Sequence, residues 1–442
     1  MKKFLLLCLV SVFAFSLVAC SNTTKKDESK GSSNEAKIPE KLTKPVTIEF
    51  WHAMSGNLED TLKAMTDDFN KSQKNITVKL VNQGAYNDLS QKLMAAAKAH
   101  NSPVMAQAYE DWMTQYIQNH LITDLTPYIK DKNHGWSDEE LNDIVSVFRD
   151  ANTWDGKYYG VPFNKSTEIL YYNTDMFKEN NVKVPTTWDE FQDAAKKLTK
   201  KDGNKKVVGI GFENSIGLSF PTYVRQAGGQ TINEKENKVT INTPEAKDAL
   251  NFLNGMVSDG TARLAGEDGY MSGPFGRGDV AMYVGSSAGL SFVAKEAEGK
   301  IHWSAAPLPK GKEAATAFQG TNLAIFSSAT DDEKLAAWEY MKFLTSKEQT
   351  ARWAKATGYV PVRTSALDTP EWKEFVGKTP EYGVAVQQFD AGYYDPHIQG
   401  KSGVNDALFS EIQAVLLGQK SVDQGLQDAE KSAQDAVDKA SK

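Results

Sequence analysis

The chain is 442 residues long, more than one ordinary core serves, so two or three domains are expected. Lys and Arg number 50 against 57 Asp and Glu, a net charge of −7, which argues against a nucleic-acid partner. The 6 histidines show no metal-ligand spacing, no G-x-S-x-G elbow is present, and no cofactor or metal is expected.

Residues 1–20, MKKFLLLCLVSVFAFSLVAC, read as a secretory signal: Lys2 and Lys3, an apolar run, then a small-residue stretch. That run falls short of the roughly 20 residues that span a bilayer. Leu17-Val18-Ala19-Cys20 resembles the bacterial lipobox, in which the Cys20 thiol would receive a diacylglyceryl group and become the mature N-terminus. A free cysteine is the plainer alternative. Cys8 leaves with the signal, so no intramolecular disulfide is expected. Residues 21–44 are Ser, Thr, Lys, Glu and Asn with few apolar groups, and are expected to be a flexible tether because they cannot bury enough surface to offset ordering entropy.

From residue 45 strand and helix patterns alternate. VTIEFW is a strand, and NLEDTLKAMTDDFNKSQ carries Leu58, Leu62, Met65 and Phe69 at helical spacing. ITVKLVNQ, YNDLSQKLMAAAKA, the strand-like PVMAQAYE and DWMTQYIQNHL continue the series, which predicts βαβ units and a parallel sheet. A second alternating region runs from TEILYYN through WDEFQDAAKKLTK, KVVGIGFE, PEAKDALNFLNGMV and VAMYVGSS. TNLAIFSS and DDEKLAAWEYMKFLTS add a strand and a helix, and two helical patterns close the chain, the last expected to be mostly solvated. The sum is two α/β lobes. Ligands in open α/β sheets bind beyond the carboxyl ends of the strands. Trp51 and His52, ending a strand just before a helix, are therefore candidates to line a cleft, with Trp51 packing between sheet and helix as the alternative. GSSAG at 285–289 fits either an anion nest or a tight helix entry.

The stretch WDGKYYGVPFNKSTEILYYNTDMFKENNVKVPTTWDEF, followed in order by GRGDVAMYVGSS, AAPLPKG and TGYVPVR, resembles the substrate-binding lipoproteins of carbohydrate-type ABC importers. FWHAMSG, AYNDLSQKL and AYE are most similar to the glycerol-3-phosphate and glycerophosphodiester binders. The resemblance implies a two-lobed periplasmic-binding-protein-like α/β fold, hinged, with discontinuous domains: 45–164 plus 312–350, and 165–311 plus 351–442. It implies a monomer on the outer face of the cell membrane that delivers a small polar solute to a permease and its ATPase, with no bond-making step. By motif, Tyr86, Glu110, Ser166, Ser286, Gly320 and Tyr359 would contact the solute, with Tyr86, Glu110 and Gly320 on the first lobe and Ser286 and Tyr359 on the second. Asn405 stands where phosphate-binding members carry an arginine, and Phe212 fills at best one of two tryptophan places. Lys165, Arg225, His397 or Lys401 could supply a replacement cation, and an uncharged sugar is the rival ligand.

A secreted glycosidase would need a carboxylate pair. Glu110 and Asp111 are adjacent, and on a strand neighbours point to opposite faces, which makes a poor acid/base set. An adhesive lipoprotein would not need aromatic groups at strand ends.

Overall fold

The computed structural model describes residues 37–202 and 205–441. The signal segment, Cys20 and most of the expected tether lie outside the described residues. Of the tether, residues 37–44 are described: Ile38 and Leu42 pack against the first lobe's core, and the Glu40 carbonyl accepts from His134 Nε2 at 3.0 Å.

The first lobe starts with β1 (Val46–His52), which turns Val46, Ile48 and Phe50 inward. It pairs in parallel with β2 (Ile76–Asn82) and β3 (Met105–Ala108). Helix α1 (Asn57–Ser72) covers one face with Leu62, Met65 and Phe69, and α2 (Tyr86–Lys98) covers the other with Leu89 and Leu93. Strand β3 is shorter than expected. It ends at Ala108, and α3 (Glu110–Gln118) begins at once, so Glu110 and Asp111 occupy a first helical turn and not a strand. Carboxylates are favoured there by the unsatisfied amides of the helix start.

Strand β4 (Val161–Asn173) leaves this lobe and enters the next. The second lobe contains α4 (Trp188–Leu198), capped by Thr187, then β5 (Lys205–Phe212), α5 (Ile216–Gln226), α6 (Pro244–Ser258), β6 (Ala262–Leu264), β7 (Val280–Ser286) and β8 (Trp303–Ala306). Strand β9 (Thr316–Ile325) returns, α7 (Asp331–Leu344) and α8 (Lys347–Thr357) pack on the first lobe, and α9 (Lys401–Leu416) and α10 (Val422–Ala440) close the second. The last helix is less solvated than its composition suggests. Leu426, Ala429, Ala433 and Val437 are buried in the second lobe's core, because α9 supplies an apolar face for them.

One sheet joins the lobes, in the order β6-β5-β7-β4-β9-β3-β1-β2. Within each lobe the expected parallel pairs occur: β1 with β2 and β3, and β5 with β6 and β7. The crossing strands are antiparallel to their neighbours, β4 to β7 and β9, and β9 to β3. The early part of β4 pairs with β9 and its later part with β7, so the change of lobe falls within a single strand. A third connection follows α8, where the Val360 amide donates to the Lys165 carbonyl at 2.8 Å.

Gly320 lies where β9 approaches β4 most closely. Its φ is +129°, and a Cβ would sit 1.9 Å from the Asn164 carbonyl oxygen. Gly320→Ala should therefore lower stability by about 2 kcal/mol or more, through overlap and backbone strain. Thermal unfolding checks this, and an unchanged midpoint would mean that the crossing has room for a methyl group.

Candidate functional site

The carboxyl ends of the parallel strands in both lobes meet the crossing strands. At the first lobe Ala108, the end of β3, pairs with Asn322 of β9. At the second Ser286, the end of β7, pairs with Glu168 of β4. These tips are where the physics of open sheets places a ligand.

On the first lobe's side the side chains form one network. Gln107 Nε2 donates to Asn164 Oδ1 and to Thr321 Oγ1, both at 3.0 Å, and Thr321 Oγ1 donates to the same Asn164 oxygen. Asn164 Nδ2 donates to Tyr86 Oη at 3.1 Å. The Tyr359 hydroxyl lies beside Tyr86 and Asn164, and burial raises its pKa. Tyr86 meets Tyr109 edge-on at 5.0 Å, and Tyr109 meets Trp112 at 5.2 Å. Sequence reasoning missed Gln107, Asn164, Thr321 and Asn322. Asn164, Thr321 and Asn322 lie within two residues of chosen positions and Gln107 three from Glu110, and that closeness to the motif residues was the signal that could have found them.

Glu110 is held by an ion pair. Lys165 Nζ donates to Glu110 Oε1 at 2.5 Å and to the Gly320 carbonyl at 2.9 Å, and Asn322 Nδ2 reaches the same Glu110 oxygen at 3.0 Å. Lys165 is only 1% exposed, and burial pulls its pKa down while Glu110 opposes that shift. A buried ion pair returns its desolvation cost only with such added hydrogen bonds.

The second lobe's side is built from hydroxyls and a carboxylate. Ser286 Oγ donates to Ser166 Oγ at 3.0 Å. Ser219 Oγ, on α5, donates to Glu168 Oε1 at 2.6 Å. Burial pushes the half-buried Glu168 up to about 7, with Ser219 opposing. Glu213 is also raised to about 7 by burial, despite accepting the Met271 amide, and Glu168 adds repulsion. At 285–289 the helix-entry alternative fits: Ser286 Oγ accepts the Ala288 amide at 3.2 Å and caps a short turn.

Four expected contacts take other roles. Phe212 is 0% exposed inside the second lobe's core, because β5 turns it toward α5 and α9. His52 is 1% exposed, and its Nδ1 accepts the Met54 amide at 3.2 Å, which shapes the turn after β1. Trp51 packs partly buried on the far face of the first lobe's sheet, with its indole donating to Glu49 at 3.2 Å. Asn405 Oδ1 accepts from Lys401 Nζ at 2.5 Å, one helical turn away. Tyr359, expected on the second lobe, stacks on Trp353 at 5.9 Å within the first lobe's core. Tyr86, Glu110, Gly320 and Tyr359 thus gather around Asn164 and Lys165, while Ser166 and Ser286 pair opposite them.

The lobes touch across the gap. His397 stacks on Trp154 at 4.0 Å and 14°, and its Nε2 donates to the Ala151 carbonyl at 3.1 Å. Burial lowers the His397 pKa, which favours the neutral ring. Ser402 Oγ, at the start of α9, donates to Asp111 Oδ2 at 3.0 Å.

Two lobes joined by three crossings, with polar groups gathered where strand ends meet the crossing strands, make a two-lobed α/β fold. The family model described as bacterial extracellular solute-binding protein matches residues 64–380, and the chain belongs to that family. It is a solute-binding protein of ABC importers. Among curated relatives, the sn-glycerol-3-phosphate-binding periplasmic protein UgpB of Yersinia enterocolitica is 26% identical over 404 residues, covering 86% of this chain and 90% of the relative. UgpB of Salmonella typhimurium is 25% identical over 405 residues, with 87% and 90% covered. Among solved structures, the cyclic alpha-maltosyl-1,6-maltose binding protein of Arthrobacter globiformis superposes with a TM-score of 0.77 at 25% identity, covering 89% of this chain and 100% of that one. UgpB of Mycobacterium tuberculosis, in complex with glycerophosphocholine, gives 0.78 at 23% identity, covering 89% and 99%.

Two outcomes are expected. Lys165→Met should destabilise the fold by about 3–5 kcal/mol, because Glu110 would keep a buried charge without its cation. Urea unfolding at neutral pH checks this, and a loss under about 1 kcal/mol, within twice the bound of an ordinary surface substitution, would mean that water reaches Glu110. Glu168 holds its proton to about pH 7 in the folded chain and loses it near its ordinary value of 4.5 when unfolded. The folded state therefore binds more protons between those values, and stability from this group falls as pH rises through that window. Glu168→Gln should raise the thermal midpoint relative to wild type at pH 8 and have little such effect at pH 4; equal shifts at both would deny the raised pKa.

Proposed function

We propose that this protein is a lipid-anchored capture component at the outer face of the cell membrane. It takes a small polar, carbohydrate-like solute between its lobes and presents it to a permease driven by its ATPase. The observation that carries this reading is the pair of polar walls on separate lobes, Tyr86, Glu110 and Gly320 against Ser166 and Ser286, at the tips of one shared sheet. A solute touching both walls stabilises the closed arrangement over an open one by its differential contacts, and that difference shifts the population. The solute classes are glycerol-3-phosphate, a glycerophosphodiester or a sugar. The first follows the names of the curated relatives, the second the solved UgpB in complex with glycerophosphocholine, and the third the maltose-type binders among similar structures.

Cys20 would anchor the chain through acyl groups, each buried CH₂ contributing about 0.8 kcal/mol. The segment after it would hold the monomeric body off the bilayer. Among the described residues no helix is long and apolar enough to cross a membrane.

Calorimetric titration with glycerol-3-phosphate, glycerophosphocholine and maltose tests capture. Saturable binding without turnover of the probe is expected, and turnover would replace this reading with an enzyme. Glu110→Ala should weaken whichever probe binds by tenfold or more, about 1.4 kcal/mol. Cys20→Ala should move the protein from the membrane fraction to the soluble one, and a variant still sedimenting with membranes would remove the lipid anchor.

A further inference from the structure

We propose that Glu168 is a ligand-binding, specificity-determining residue that selects an uncharged polyhydroxyl solute over a phosphate ester. This rests on the solute-capture reading above and narrows its substrate class.

Glu168 belongs to the second lobe's wall by register. It lies directly across from Ser286 in the β4–β7 pairing, and Ser286 is bonded to Ser166, two residues before Glu168 on the same face of β4. Side chains at such cross-strand and diagonal positions are neighbours. With Ser219 donating from α5, the wall holds three serine hydroxyls around one carboxylate. Glu168 uses Oε1 for Ser219; among the described residues, Oε2 has no hydrogen-bond partner and the carboxylate joins no ion pair. One turn beyond Ser219 on α5, the buried hydroxyl of Tyr223 also has no partner, and the Glu168 charge is felt there. This is a set of acceptors and donors matched to sugar hydroxyls.

A bound phosphate would need a cation, and three of the four candidates are paired or discharged. Lys165 is paired with Glu110 at 2.5 Å. Lys401 is paired with Asp395 at 3.1 Å and bonded to Asn405. His397 is stacked on Trp154, where burial disfavours its charged form. The Arg225 guanidinium lies 4.1 Å over the Tyr393 ring, facing a groove that also holds Asp150 and Glu234. Arginine's paired donors are what usually hold phosphate, and the aligned position offers Asn405 instead. An anion entering this gap would meet Glu168, which repels it wherever the carboxylate is ionised, and the one candidate cation neither paired nor discharged among the described residues, Arg225, lies against the Tyr393 ring beside Asp150 and Glu234.

The test is calorimetric titration of the full chain and of its Glu168→Gln variant with five probes: glucose, maltose, maltotriose, sn-glycerol-3-phosphate and glycerophosphocholine. The variant removes a charge from a half-buried site and keeps its shape, and a thermal melt of each protein verifies folding. In the wild type, one of the three sugars should bind more tightly than either phosphate compound. In the variant that sugar should weaken at least tenfold. A phosphate compound as the tightest wild-type probe overturns the proposal, as does a sugar whose affinity changes less than twofold; both leave solute capture standing. Silence toward all five probes refutes the solute classes under Proposed function and this inference with them.

Discussion

The close antiparallel pairing of β4 with β9 is the constraint on which the rest depends. Each strand starts in one lobe and ends in the other, so this pairing is at once the core of the sheet and the connection between two bodies. Its tightest point admits only glycine, at Gly320, and there the Lys165 side chain folds over the crossing to reach both the Gly320 carbonyl and Glu110. Charge, backbone geometry and lobe connection are therefore set within a few residues of each other.

That arrangement explains why the site's two walls differ. The first lobe's wall is pre-organised: Gln107, Asn164, Thr321 and Tyr86 satisfy one another, and Glu110 is neutralised by Lys165. A fully satisfied buried network is rigid and resists rearrangement. The second lobe's wall keeps free capacity in Glu168 and Tyr223. A rigid wall that positions and a second wall with unspent hydrogen-bonding groups is a sensible division for a protein that must hold a polar solute and then release it.

Segments of the two lobes meet both in a buried apolar cluster, where Ile144, Val145 and Phe148 pack with Ile169, Tyr171 and Phe275, and in the pairs His397 on Trp154 and Ser402 with Asp111. Stacking of this kind contributes about 0.5–1.5 kcal/mol beyond its buried area.

Much of the architecture was legible in the sequence. Apolar spacing in residues 57–72 and 331–344, alternation in residues 46–52, the apolar run at 280–284 and the Thr187 cap are local signals, and local chemistry determines them. Ordered motifs identified the family, and the resemblance put forward Tyr86, Glu110, Ser166, Ser286 and Gly320 as contacts. What tertiary structure alone decided is which side chains are already spent. Glu110 and Lys165 are 55 residues apart and Trp154 and His397 further still, so no local pattern could show that they pair. His52 looked like a cleft residue because it ends a strand, and Phe212 because the resemblance put it at a tryptophan place, but the packing they take depends on segments arriving from elsewhere in the chain. Nothing in the TEILYYN stretch singles out Glu168, and only the register of β4 against β7 and the packing of α5 set it beside Ser286 and Ser219 from distant segments. Propensity and periodicity act over a few residues, whereas ion pairing and strand register act through space, and that is why the fold could be read along the chain and the occupancy of its site could not.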